Sequence, residues 1–147
     1  MKITICGSIV FIDEMLAAKQ ELEALGHEVK MPPTEIIDGD GEPLDVKTYY
    51  QLRKEGVNNP SAWLWDKKRD LILNHFGKIE WCDAVLVLNH DKNGVAGYVG
   101  ANTLMEMGLA LYLGKRIYMI KDIPELSYKE EILGMKPIII SELKDIH

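Results

Sequence analysis

The chain has 147 residues, 17 of them Lys or Arg and 23 Asp or Glu, for a formal net charge of -6. That length accommodates one hydrophobic core rather than two, and the acidic balance disfavours a protein that tracks a nucleic-acid backbone or docks on an anionic membrane. At 47% hydrophobic and 27% charged residues the composition is that of a folded protein, and its longest apolar runs, Ala84 to Leu88 and Pro137 to Ile140, fall far short of the ~20 residues that cross a bilayer.

Met1 to Cys6 carries one positive charge and a strand-like pattern, with no long apolar leader, so a cytoplasmic protein is expected. Cys6 and Cys82 lie in apolar stretches without C-x-x-C spacing and read as buried, reduced thiols, a nucleophilic Cys6 being the alternative. Lys2 to Cys6 forms a strand that Gly7-Ser8 interrupts. Met15, Ala18, Leu22 and Leu25 then recur at helical spacing until Gly26, and His27 to Met31 resumes as a strand.

Pro32 to Glu80 is much longer than one crossover needs. Its Pro, Gly and Asp content predicts a loop through Pro43, followed by a short helix over Asp45 to Glu55 that ends at Gly56. Ser61 is a candidate cap for a long helix reaching Trp81, with Trp65, Ile72, Phe76 and Ile79 as its apolar stripe. Ala84 to Leu88 reads as a buried strand, Asn89 to Asn102 as a glycine-rich loop, Thr103 to Leu113 as a helix, and Arg116 to Ile120 and Pro137 to Ile140 as the last strands. Continuous apolar strands alternating with amphipathic helices predict an α/β domain over 1–147, a five-stranded, doubly wound parallel sheet with a helical insertion at 32–80.

Ligands of such sheets bind beyond the carboxyl ends of the strands. The loop at Gly7, Ser8 and Ile9 can offer backbone N–H groups and a hydroxyl to a phosphate or ribose, or can serve only as a turn. In the loop NHDKNGVAGYVGANTLME, Gly94, Gly97 and Gly100 match neither a dinucleotide fingerprint nor a phosphate loop with its lysine. Tyr98, Gly100 and Asn102 are candidates for substrate contact, as is Asn89, which also fits a turn role. Thr103-x-x-Glu106 has capping-box spacing. Its other reading is a carboxylate in the first helical turn, kept ionised by the helix terminus and aimed at a sugar carbon. Tyr49, Tyr50, Trp63 and Trp65 either stack on a base or pack in the core. His27, His90 and His147 show no metal-ligand spacing, so neither a metal nor a cofactor is expected.

CGSI at the first strand, Gly-His-Glu-Val at the second, I-x-x-C-D-A-V-L-V-L-N at the third and G-Y-V-G-A-N-T-L-M-E-M-G-L-A into the next helix resemble the nucleoside 2-deoxyribosyltransferase-like superfamily. The resemblance spans most of the chain outside the insertion. It implies a flavodoxin-like, Rossmann-like fold, a homo-oligomer, and cleavage of the N-glycosidic bond of a nucleoside or nucleoside 5'-monophosphate, with the sugar passing to another base or to water. It also implies that Glu106 is the nucleophile. One departure is evident: where the family carries an acidic residue eight positions before Asp83, this chain has His75, which is either catalytic in its place or structural. Gly100-x-x-Thr103-x-x-Glu106 also resembles the helix start of the cytokinin-activating phosphoribohydrolases, without their upstream proline and paired glycines or a clear match to their basic residues. A nucleotide-sensing module without turnover is a further alternative.

Overall fold

Strand and helix alternate as the apolar pattern predicts. The computed structural model describes residues 1–60 and 62–147. The chain runs through β1 (Lys2–Cys6), a 3-10 turn (Ile9–Phe11), α1 (Ile12–Ala24), β2 (Glu28–Lys30), β3 (Glu35–Ile37), β4 (Pro43–Asp45) and α2 (Val46–Glu55). It continues through α3 (Trp63–Trp81), β5 (Ala84–Val87), α4 (Ala101–Tyr112), β6 (Arg116–Met119), α5 (Lys129–Met135) and β7 (Ile138–Ile139). The main sheet has the order β2-β1-β5-β6-β7, with every pairing parallel. Strand order reverses between β1 and β5, so the crevice beyond Cys6 and Val87, paired at their carboxyl ends, is where this topology places a ligand.

The period of two along each strand decides which layer a side chain meets. Ile3 and Ile5 of β1, with Ala84 and Leu86 of β5, pack against Met15 and Leu22 of α1. Cys6, Val85 and Val87 point the other way, toward Ile79 of α3, Met107 and Ala110 of α4 and Ile132 of α5. Thr4 confirms the alternation, since its hydroxyl donates to the carbonyl of Lys78 in α3 at 2.7 Å. Cys6 therefore enters the α3/α4 layer at the ligand edge of the sheet.

The insertion differs from the expected loop and helix in its first part. Glu35–Ile37 and Pro43–Asp45 pair antiparallel, Ile36 faces inward, and Asp38 Oδ1 accepts from the N–H groups of Asp40 and Glu42 to close the turn. The Asp-Gly-Asp-Gly tract is the turn of a hairpin, and its composition masks the short strands on either side. Asp45 caps α2 through the N–H groups of Lys47 and Thr48, and Gly56 ends that helix as predicted. The Ser61 cap lies outside the described residues; α3 begins at Trp63 with Ala62 at its N-cap. Phe76 and Ile79 pack on the sheet layer as expected, whereas Trp65 joins a separate cluster built on Ile36, Tyr49 and Leu64. Helix α5 was not expected from the sequence, and the last strand is shorter than Pro137 to Ile140.

Candidate active site

Three elements converge at the carboxyl end of β1. Gly7 leaves the strand at φ 155°, and a Cβ there would lie 3.0 Å from the Leu88 carbonyl oxygen, so a bare Cα lets the turn form. Helix α4 begins at Ala101 rather than Thr103, with Gly100 as N-cap. Glu106 therefore lies in the second turn, beyond reach of a capping box, and no side chain caps this helix. The helix terminus does not keep it ionised, as first-turn placement predicted. Glu106 is 4% exposed, and burial raises its carboxyl to about 7 against the opposing effects of the neighbouring Cys6 thiol, the Lys68 charge, an Asn102 hydrogen bond and the Lys78 charge.

His75 of α3 faces this carboxylate, with Nε2 3.8 Å from Glu106 Oε2 and 3.4 Å from Cys6 Sγ. Burial, aided by the Lys78 charge, lowers His75 to about 4, so the imidazole is neutral near pH 7 and its approach to Glu106 is not an ion pair. The Cys6 thiol is raised well above its ordinary range by burial first, then by the Glu106 carboxylate beside it. A fully buried, protonated thiol does not fit the nucleophilic reading of Cys6.

Asn102 links the carboxylate to a cation. Its Nδ2 donates to Glu106 Oε1 at 2.7 Å, and its Oδ1 accepts from Lys68 Nζ at 3.1 Å. Lys68 is lowered to about 8, by burial first and then by the Arg53 charge, against the pull of Glu106. Among the described residues, three buried side-chain atoms lack any hydrogen-bond partner: Arg53 Nε, His75 Nδ1 and Glu106 Oε2. All three residues line one cavity of about 330 Å³, walled otherwise by insertion residues such as Pro32, Pro33, Val46 and Tyr49, by Ile72 and Lys78 of α3, and by Gly7 and Ile9. Buried polar groups left unpaired in one place call for a polar occupant.

A second cavity of about 390 Å³ adjoins it, sharing Gly7, Ile9, Arg53, Lys68 and Asn102 as walls. It is lined further by Ser8, Tyr50, Lys54, Lys92, Tyr98 and Gly100, and among its lining residues there are four cations and no carboxylate. Lys92 Nζ donates to Ser8 Oγ at 2.8 Å and Tyr50 Oη at 2.9 Å, and lies 5.1 Å from the ring centroids of Tyr50 and Tyr98. Burial raises the Tyr50 phenol, but hydrogen bonds and charges from Lys92 and Lys54 outweigh it and leave the phenol below its usual value.

Of the residues singled out in the sequence, Glu106, His75, Gly7, Ser8, Ile9, Tyr98, Gly100 and Asn102 gather around these two cavities. Asn89 does not. Its Nδ2 donates to the carbonyls of Gly97, Lys121 and Asp122 and its Oδ1 accepts from the N–H groups of Ile120 and Lys121, so it is a fully committed clamp between the loops after β5 and β6. Tyr49 donates to the Leu64 carbonyl and packs on Trp63, and Trp65 donates to the Asn59 carbonyl, so the insertion's aromatics mostly build its own core while Tyr50 faces the groove. Arg53, Lys54, Lys68 and Lys92 are the functional candidates that sequence reasoning missed. Local spacing also hid the meeting of Cys6, His75 and Glu106, whose donor atoms lie within 4.8 Å of one another.

No family model matches the sequence, and no curated protein matches it significantly. Solved structures match over nearly the whole chain, two enzymes among them. A 2-deoxyribosyltransferase from the psychrotolerant bacterium Bacillus psychrosaccharolyticus superposes with a TM-score of 0.57 at 17% identity, over 99% of this chain and 90% of that one. The CMP N-glycosidase BcmB of Clostridium botulinum superposes with a TM-score of 0.52 at 18% identity, over 98% of this chain and 92% of that one. The chain shares the α/β fold of both.

Proposed function

We propose that this protein cleaves the N-glycosidic bond of a nucleoside 5'-monophosphate, with Glu106 as the nucleophile. The observation that carries this reading is the buried, unpartnered Oε2 of Glu106 at the wall of a cavity whose neighbour is cationic. Oε2 attacks the anomeric carbon while Asn102 holds Oε1. The electron pair of the breaking C–N bond leaves with the base, which takes a proton from solvent, and a glycosyl ester forms on Glu106. Water or a second base then attacks the same carbon and frees the carboxylate, as in a retaining glycosidase. The apolar walls at Pro32, Pro33, Val46 and Ile72 suit a base or sugar ring, and Lys92, Lys54, Arg53 and Lys68 with the Ser8 hydroxyl suit a phosphate. The shared fold of a deoxyribosyltransferase and a CMP N-glycosidase supports the reaction class.

A binding role without turnover is the second reading, favoured by the uncharged His75 beside Glu106. One assay separates the two: release of free base from a panel of nucleosides and their 5'-monophosphates, with and without an acceptor base. The proposal expects release from monophosphates, reduced at least ~10³-fold in a folded Glu106→Ala variant. Tight nucleotide binding with no release from any substrate favours the second reading.

A further inference from the structure

We infer that Cys6, His75 and Glu106 form a binding site for a thiophilic divalent cation of the zinc type, with Cys6 Sγ, His75 Nε2 and Glu106 Oε2 as its ligands. The three donor atoms lie within 4.8 Å of one another and come from three regular elements, the end of β1, the middle of α3 and the second turn of α4. Zinc–sulfur bonds of ~2.3 Å and zinc–nitrogen or zinc–oxygen bonds of ~2.0–2.1 Å give tetrahedral edges of ~3.5 Å between sulfur and nitrogen and ~3.3 Å between nitrogen and oxygen. The corresponding separations are 3.4 Å for Cys6 Sγ to His75 Nε2 and 3.8 Å for His75 Nε2 to Glu106 Oε2. The third edge, Cys6 Sγ to the carboxylate, is within 4.8 Å, so closing the triad calls for side-chain rotation of Glu106 rather than a rearrangement of the fold.

The donor set is selective. One sulfur, one imidazole and one carboxylate suit zinc or cobalt and disfavour magnesium or calcium, which require a shell of oxygens. Glu106 Oε2 has no hydrogen-bond partner, so a cation there answers a buried polar atom that the protein leaves open. His75 and Glu106 line the inner cavity and Cys6 does not, which turns the fourth coordination position toward the space a small ligand enters. Binding breaks the Cys6 S–H bond, forms the metal–sulfur bond and releases the proton to solvent. With thiolate and carboxylate both bound, the divalent ion and its two anionic ligands together are neutral beside Lys68 and Lys78.

Metal binding stands independently of the proposed reaction. That the metal also halts the reaction rests on that reading, because the ion occupies the oxygen that attacks the sugar. The test uses chelator-treated protein and the metals alone, with no substrate. Equilibrium dialysis against Zn²⁺ is expected to give one bound ion per chain, and Co²⁺ to produce tetrahedral d–d absorption with a thiolate-to-cobalt charge-transfer band. Cys6→Ser abolishes that band and weakens zinc binding at least ~100-fold, Glu106→Gln weakens it while keeping the band, and Cys82→Ser changes neither. Circular dichroism confirms that each variant is folded. Absence of stoichiometric binding by wild type overturns the site, as does a cobalt spectrum with no thiolate band or one that follows Cys82.

Discussion

Asn102 Nδ2 donates to Glu106 Oε1 at 2.7 Å while the other end of the same amide accepts from Lys68. The amide cannot flip without losing both bonds, so it fixes one oxygen of the carboxylate and leaves the other unpartnered. Replacing the donor with an acceptor sets two carboxylates together and raises Glu106 further. Asn102→Asp is therefore expected to move the lower limb of the pH–rate profile of base release upward. Asn102→Ala should reduce kcat ~10- to 100-fold, consistent with one lost positioning bond to a charged group. An unshifted profile in Asn102→Asp would place the residue outside the machinery.

Ionisation of Glu106 sets activity against stability. Its carboxyl is raised from the ordinary 4.5 to about 7, so the fold favours the protonated form. That contribution is complete below the unfolded-state value and is lost as pH rises through about 7. Under the proposed reaction turnover needs the anion, so the rate is expected to rise over the same interval. Glu106→Gln removes the penalty and is expected to stabilise the protein at pH 8 by up to ~3 kcal/mol, or ~10 °C in Tm, with little gain at pH 4. Thermal melts at the two pH values read the difference. His75 acts at the other end: it is lowered to about 4, so its contribution is present above pH 6.5 and is lost as pH falls through about 4.

The cationic cavity predicts a split between substrates. Lys92 touches the Ser8 hydroxyl and Tyr50 at the groove and does not line the inner cavity. Lys92→Met should raise KM for a 5'-monophosphate ~10-fold or more, the value of one charge-assisted bond, and leave kcat/KM for the matching nucleoside within ~2-fold. Equal losses on both substrates would assign the groove to something other than a phosphate.

Asn89 carries a stability prediction instead. Five hydrogen bonds join its side chain to the loops after β5 and β6, and the residue is fully buried. Asn89→Ala leaves backbone groups unpaired and should cost ~2–3 kcal/mol in urea unfolding.

The legible parts of this molecule were those encoded locally. Apolar runs marked β1, β5 and β6, Gly26 and Gly56 marked helix ends, and alternation of the elements implied a parallel sheet with its ligand edge at the loops that hold Gly7 and Gly100. Glu106 was reachable because its loop and its neighbours carried a family-like pattern. Its environment was not: the start of α4 two residues before Thr103 moved it from a capping position to a buried one. Arg53, Lys68 and Lys92 each look like an ordinary charged residue of an acidic chain, and only topology brings them together. Asn89 resembled a turn residue because its partners, Ile120 to Asp122, lie one crossover away.

The central claim is a covalent bond between the sugar and Glu106. Its most direct test is rapid acid quench of the protein turning over a 5'-mononucleotide that releases its base, followed by mass spectrometry of the intact chain and its peptides. The account predicts a mass increment equal to the sugar phosphate, located on the peptide that contains Glu106 and absent from Glu106→Gln. Undiminished base release by Glu106→Gln, with no adduct on that peptide in the wild type, would contradict it.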